Sequence, residues 1–169
     1  MAQTARLVPG DTSVTAFKSV IFFLLVAILI QGLVPAYFLK ANTSLVDPGL
    51  WRWLAIPLWL AGWPALVWCF WSFTIHGHGT PNPLDPPRQL VVTGLYRYVR
   101  NPIYLAALAN LVGWAFWSPS LPMLLMPVIG FIASYLFVVF YEEPHLVRTF
   151  KAAYEQYCQT APRWIPRLK

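Results

Sequence analysis

Two long, almost uncharged apolar stretches, residues 17–39 and 121–141, decide what this chain can fold into. A helix of about 20 apolar residues crosses a hydrocarbon core of roughly 30 Å, and a stretch of that length has no other economical way to satisfy its backbone out of water. Two further apolar segments lie between them, residues 50–73 and 102–117, the latter separated from the last by only Ser118, Pro119 and Ser120. The pattern predicts an all-α integral membrane protein of about four transmembrane helices, at 17–39, 50–73, 102–117 and 121–141. The last two form an antiparallel hairpin, and the third is short for a full span.

Composition supports this reading. Hydrophobic residues make up 58% of the chain and charged ones only 11%, a balance foreign to a soluble domain of this size. A cleaved leader is the alternative for the first segment. Its apolar core is too long and no small-residue cleavage pattern follows, so it is expected to stay as an anchor. The prolines at 57 and 64 are expected to bend the second helix. One domain over residues 1–169 is expected, with residues 74–101 as a loop and 142–169 as a tail.

The basic residues orient the bundle. Of the 12 lysines and arginines, all but Lys40 and Arg52 lie before or at the start of the first helix, in the long loop or after the fourth helix. By the positive-inside rule both termini and the loop face the cytoplasm. The formal charge of +6 is not gathered into a stripe interleaved with aromatics, so nucleic acid is not an expected partner. Cys69 and Cys158 are too far apart in sequence to suggest a disulfide framework or a metal knuckle.

Three places carry chemistry. Glu142 and Glu143 close an apolar run, where a carboxylate is costly enough to read as a functional site. If the fourth helix ends there, as Pro144 suggests, both acids face the negative end of its dipole and need a cationic or donor-rich partner. The other reading is a simple membrane boundary. The stretch Arg100-Asn101-Pro102-Ile103-Tyr104 reads as a helix start with Asn101 as N-cap, whose free amides together with Arg97 and Arg100 suit an anion. An ordinary helix start flanked by snorkelling arginines is the alternative. His76-Gly77-His78-Gly79 opens the loop, and its glycines permit a ligand close to the backbone. No further ligand stands at metal spacing, so no metal is expected.

These elements in this order resemble the membrane-embedded methyltransferases that include isoprenylcysteine carboxyl methyltransferase and phosphatidylethanolamine N-methyltransferase. The resemblance runs from His76 to the C-terminus. It rests on Gly77-His78-Gly79, on the run from Gly94 to Tyr104, on Glu142-Glu143, and on Tyr154, Tyr157 and Pro162-Arg163-Trp164-Ile165-Pro166. One departure is Asn101, where the prenylcysteine enzymes usually carry histidine. The resemblance implies packed transmembrane helices with a C-terminal portion covering S-adenosylmethionine. It implies that Gly77, His78, Gly79, Arg100, Asn101, Tyr104, Glu142 and Glu143 bind this cofactor, with Arg100, Glu142 and Glu143 as catalytic residues. The acceptor would be a lipid-like or prenylated molecule drawn from the membrane. Three other readings remain: an NADPH-dependent membrane reductase of the sterol type, similar around Arg100 to Tyr104; a small transporter; and a non-catalytic protein of the same fold.

Overall fold

The computed structural model describes residues 12–41, 45–77 and 89–167, which form helices joined by short turns. Helix α1 (Thr12–Val26) runs through a π-helical stretch (Ala27–Leu33) into α2 (Val34–Lys40). A 3-10 turn (Gly49–Leu54) leads into α3 (Ala55–Ser72), which ends in a π-helical turn (Phe73–Gly77). A second 3-10 turn (Gly94–Arg97) precedes α4 (Pro102–Trp117). Then come α5 (Leu121–Phe137), a π-helical turn (Val138–Glu142), α6 (Glu143–Phe150) and α7 (Ala152–Thr160).

Among the described residues three continuous helical stretches are long and apolar enough to cross a membrane: Val20–Lys40, Gly49–Gly77 and Leu121–Phe150. Helix α4 has 16 residues, about 24 Å at the helical rise, and falls short of that length. The sequence predicted about four spans with the third short, and α4 is that third segment. It is the helix the others cover, burying Pro102, Ala106, Asn110, Leu111, Gly113 and Ala115.

Two boundaries differ from the sequence reading. The second span runs on to Gly77, so His76 and Gly77 end a helix instead of opening a loop. More consequentially, the fourth span does not stop before Pro144. The Glu143 amide donates to the Val138 carbonyl, five residues back, and this wider turn carries the chain past the proline into α6. Proline lacks an N–H and its ring crowds the carbonyl four residues earlier; one π turn removes both conflicts without ending the helix. Glu142 and Glu143 therefore do not face a helix C-terminus.

A similar substitution ties α4 to the first helix. Pro35 has no N–H for the carbonyl of Gln31, and the Trp114 indole donates to that oxygen instead, at 3.0 Å. The Gln31 side-chain amide then donates to the Ala107 carbonyl at 3.1 Å. The Trp59 indole of α3 donates to the Asn110 carbonyl at 3.1 Å, with the Trp59 and Trp114 rings 4.8 Å apart. In hydrocarbon, where water cannot finish backbone bonding, such indole bonds close the ladder.

The α3–α4 contact depends on Gly62. A Cβ there would stand 2.9 Å from the Ala106 carbonyl oxygen and 2.8 Å from Asn110 Cγ, closer than real contacts allow. Gly62→Ala is therefore expected to destabilise the bundle by about 1–3 kcal/mol, the usual overpacking cost. Gly32, whose nearest neighbour to an added Cβ is the Ala27 carbonyl at 3.6 Å, should accept alanine without loss. Thermal melting of both variants in detergent checks this; equal melting temperatures would show that α3 and α4 are not held by this contact.

Candidate functional site

The start of α4 and the end of the membrane-length stretch Leu121–Phe150 come together because the α4–α5 hairpin is antiparallel and closed by a tight turn. The backbone around Ser118–Ser120 reverses the chain, and Ser120 caps α5 by accepting from the Met123 amide. Twenty-odd residues later, roughly 30 Å along the helix, Glu142 and Glu143 arrive level with Arg100 to Tyr104. The Tyr104 hydroxyl donates to Glu142 Oε2 at 2.8 Å. Arg100 Nη1 lies 3.3 Å from Glu143 Oε1, both side chains being largely shielded.

The tail completes the arrangement. After α7 the chain runs back along the segment before α4: the Arg100 amide donates to the Pro162 carbonyl at 2.8 Å and the Arg167 amide to the Tyr98 carbonyl at 3.1 Å. This strap delivers Arg163, whose guanidinium grips Glu143 with two parallel bonds, Nε to Oε1 at 2.8 Å and Nη2 to Oε2 at 2.7 Å. Such a fork is the strongest pairing a carboxylate finds in a protein. The same contact holds the Arg163 guanidinium above its ordinary pKa. Arg163 and Arg100 are thus the cationic partners of Glu143.

The two acids are not equivalent. Adjacent helical residues point about 100° apart, so Glu143 turns to two guanidiniums while Glu142 turns to a phenol. Among the described residues Glu142 has no ion-pair partner.

Other predicted residues are placed as follows. Asn101 stands at the N-cap position of α4, but its side chain does not cap the helix. It is buried, and its amide donates to the Arg163 carbonyl at 3.1 Å. Asn101 thus fastens the strap, and the capping role is corrected. Gly77 is buried, and its carbonyl accepts from the Gln89 amide at 3.2 Å. His78 and Gly79 lie outside the described residues. Among the described residues no three His, Cys, Asp or Glu side chains gather as metal ligands.

Sequence reasoning missed Arg163, Cys158 and Trp164 as site members. Arg100 Nη1 also donates to Cys158 Sγ, and the Trp164 ring packs 6.3 Å from that of Tyr104. Arg163 was legible in principle, as the arginine in a tail that had to answer a buried acid. Upstream, Gly94 adopts φ +60°, and a side chain there would meet the Trp68 indole at 2.6 Å, so this turn seats Tyr96 against α3. The Tyr157 hydroxyl donates to the Tyr96 carbonyl at 2.6 Å, joining α7 to the same turn. A groove of about 390 Å³ runs alongside, lined by Leu90, Val92, Ala153, Gln156, Tyr157 and Thr160.

Comparison with known proteins gives one match. The family model described as phospholipid methyltransferase covers residues 50–153, from the 3-10 turn before α3 into α7. The matched region includes Gly77, Arg100, Asn101, Tyr104, Glu142 and Glu143, whereas Cys158, Arg163 and Trp164 lie beyond it. No curated protein and no solved structure matches the chain.

The phenols that seat the strap make a pH prediction. Burial raises Tyr154 and Tyr157 above the ordinary value of 10.0, and Tyr96 likewise. Each stays neutral in the fold at a pH where the unfolded chain has released the proton. Their contribution to stability is therefore fully present below pH 10 and is lost as pH rises beyond it. Melting in detergent should hold constant with respect to these groups up to about pH 10 and fall above it, with part of the phenolate absorbance appearing only on unfolding. Full ionisation of every tyrosine near pH 10 in the folded protein would contradict the packing of α7.

Proposed function

The chain belongs to the phospholipid methyltransferase family, and from that membership we propose that it transfers a methyl group from S-adenosylmethionine to a lipid-like acceptor at the cytoplasmic face of a membrane. It is a membrane protein and a methyltransferase by family and by its three membrane-length helices. The observation that carries the finer reading is the convergence of Arg100, Tyr104, Glu142, Glu143 and Arg163 at one end of the bundle.

The residues fit the amino-acid end of this cofactor, which bears a carboxylate and an ammonium. Arg100 Nε is shielded and has no partner among the described residues, leaving a donor for a carboxylate. Glu142, with no cation beside it among the described residues, suits the ammonium or a ribose hydroxyl. When bound, S-adenosylmethionine supplies a methyl on a positively charged sulfur, which keeps the bonding pair as a thioether when the acceptor's lone pair takes the methyl carbon. The chain's own part is positioning and exclusion of water. Arg163 and Arg100 hold Glu143, which fixes the strap over the site; Tyr104 orients Glu142. We assign Arg100, Glu142 and Glu143 the catalytic roles, and Gly77, His78, Gly79, Asn101 and Tyr104 the cofactor side.

On this reading α4 acts as a fourth, short membrane helix, residues 1–169 form a single domain, and both termini lie in the cytoplasm. Cysteines introduced at Asp47 and Ser118 should then react only with a reagent applied from the opposite, non-cytoplasmic side. Labelling of both from the cytoplasmic side would overturn the orientation.

Glu142→Gln keeps the shape and a partner for the Tyr104 hydroxyl while removing the charge. It is expected to leave the melting temperature of the free protein nearly unchanged and to weaken S-adenosylmethionine binding roughly tenfold to a hundredfold, the worth of one charge-assisted hydrogen bond. Glu143→Gln should behave differently, lowering the melting temperature itself, because it strips a shielded partner from Arg100 and Arg163. Calorimetric titration with S-adenosylmethionine, with NADPH as the control, checks both. Undiminished affinity in the Glu142→Gln protein would remove the acidic pair from the cofactor site.

A further inference from the structure

One residue, Lys151, joins the last membrane-length stretch, Leu121–Phe150, to everything that covers the site. Its amide donates to the Val147 carbonyl at 2.9 Å and closes α6, while its own carbonyl accepts from the amides of Tyr154 and Glu155 and opens α7. No linker separates the two helices, so the change of direction falls on the backbone of Lys151, at φ 48° and ψ −127°. A Cβ crowds the chain in this region, which glycine ordinarily occupies. Among the described residues Lys151 is the only one other than glycine with positive φ.

On one side of this joint the chain is fixed, because α6 continues α5 through the π turn. On the other side a short set of bonds holds it. The Tyr157 hydroxyl donates to the Tyr96 carbonyl, the Arg100 and Arg167 amides bond across to Pro162 and Tyr98, the Asn101 amide reaches the Arg163 carbonyl, and the Arg163 fork grips Glu143. The apolar part is small: Tyr154, Tyr157 and Ala161 are buried with Leu90, Leu146 and Phe150 against them. Breaking that set frees α7 and the strap as one piece. Beneath the strap the Arg100 side chain is only 13% exposed, and its Nε is fully shielded. A shielded donor is out of reach of a molecule in solution while the strap lies across it. The carboxylate that the cofactor reading brings to Arg100 therefore arrives after the strap has lifted.

Resting on that reading for the ligand but not for the movement, we propose that α7 and the strap form a cover that swings about Lys151, and that backbone strain at this residue favours its opening. Closed, Lys151 is held in a conformation suited to glycine; open, it relaxes to negative φ. The bonds to residues 96–101 and to Glu143 hold the cover down against that strain, and S-adenosylmethionine enters while they are broken.

Amide hydrogen exchange tests the movement with no ligand present, on the full chain in detergent. The Arg100 and Arg167 amides are bonded across the closure from opposite sides, so they should exchange in step, through one opening, while amides in the middle of α4 stay protected. Lys151→Gly removes the strain of the closed form. It should slow both amides by a common factor of about threefold to thirtyfold, the worth of one strained residue less the extra freedom glycine gains on opening. Lys151→Ala removes the amine and keeps the strain, and should match the wild type. Exchange of the two amides out of step, or as fast in Lys151→Gly as in the wild type, overturns the proposal. Equal slowing in Lys151→Ala assigns the effect to the lost amine and overturns it too. The association rate of S-adenosylmethionine, followed by stopped-flow tryptophan fluorescence, should fall in Lys151→Gly by the same factor, because only the open form admits the ligand. An association rate that holds while exchange slows overturns entry by this route. If the wild type binds no S-adenosylmethionine, the methyl-transfer reading fails by itself and the exchange of the two amides still decides the hinge.

Discussion

Glu143 sits where three parts of the chain meet, and its two guanidinium partners hold them together. Arg100 comes from the residue before the α4 cap and Arg163 from the strap after α7, while Glu143 itself follows the π turn of the last membrane-length helix. Shielding an ion pair is expensive unless its hydrogen bonds are satisfied. Here both carboxylate oxygens are engaged by the Arg163 fork, and Arg100 adds a third contact. Removing Glu143 would leave two guanidiniums without a match, so the node acts as a lock. Through it the strap places Trp164 and draws the Asn101 amide onto the Arg163 carbonyl.

The π turns belong to the same argument. A proline within an apolar helix leaves a carbonyl unbonded in a medium that offers no water. At Pro35 the freed oxygen recruits Trp114 and so binds the first helix to α4. At Pro144 the wider turn lets the helix continue and sets the angle at which Glu142 and Glu143 leave it. Had the helix ended there, both acids would have faced exposed carbonyls and the adverse end of a dipole. Continuation places them on the flank of a helix, where arginines reach one and a tyrosine the other.

That separation gives adjacent glutamates different work. One is paired with two guanidiniums; the other is held by the Tyr104 hydroxyl, next to the Trp164 ring that packs on Tyr104. A phospholipid methyltransferase has to bring a water-soluble methyl donor and a membrane-bound acceptor to one point. An end-of-bundle site with a cationic flank and an aromatic, acidic flank has the chemistry to do so.

Much of this was legible in the residues themselves. The apolar runs announced membrane helices because hydrocarbon tolerates little else, and Glu142 and Glu143 stood out because carboxylates at that depth are costly. Arg100 and Asn101 were singled out from helix-start chemistry and Tyr104 by the resemblance, though Asn101 was read as a cap when its amide in fact fastens the strap. The end of the fourth predicted helix was misplaced, since a local rule about the residue before proline does not foresee a π turn that carries the helix past it. Arg163 and Trp164 became site members only through the fold. Twenty residues separate Arg163 from Glu143 and 60 separate Trp164 from Tyr104, and no local periodicity encodes a contact over such distances. Sequence by itself determined the solvent, the helices and the costly charges, because each follows from transfer of a short segment between water and hydrocarbon. Tertiary structure alone decided which charge meets which, because that depends on the path of the chain after α7.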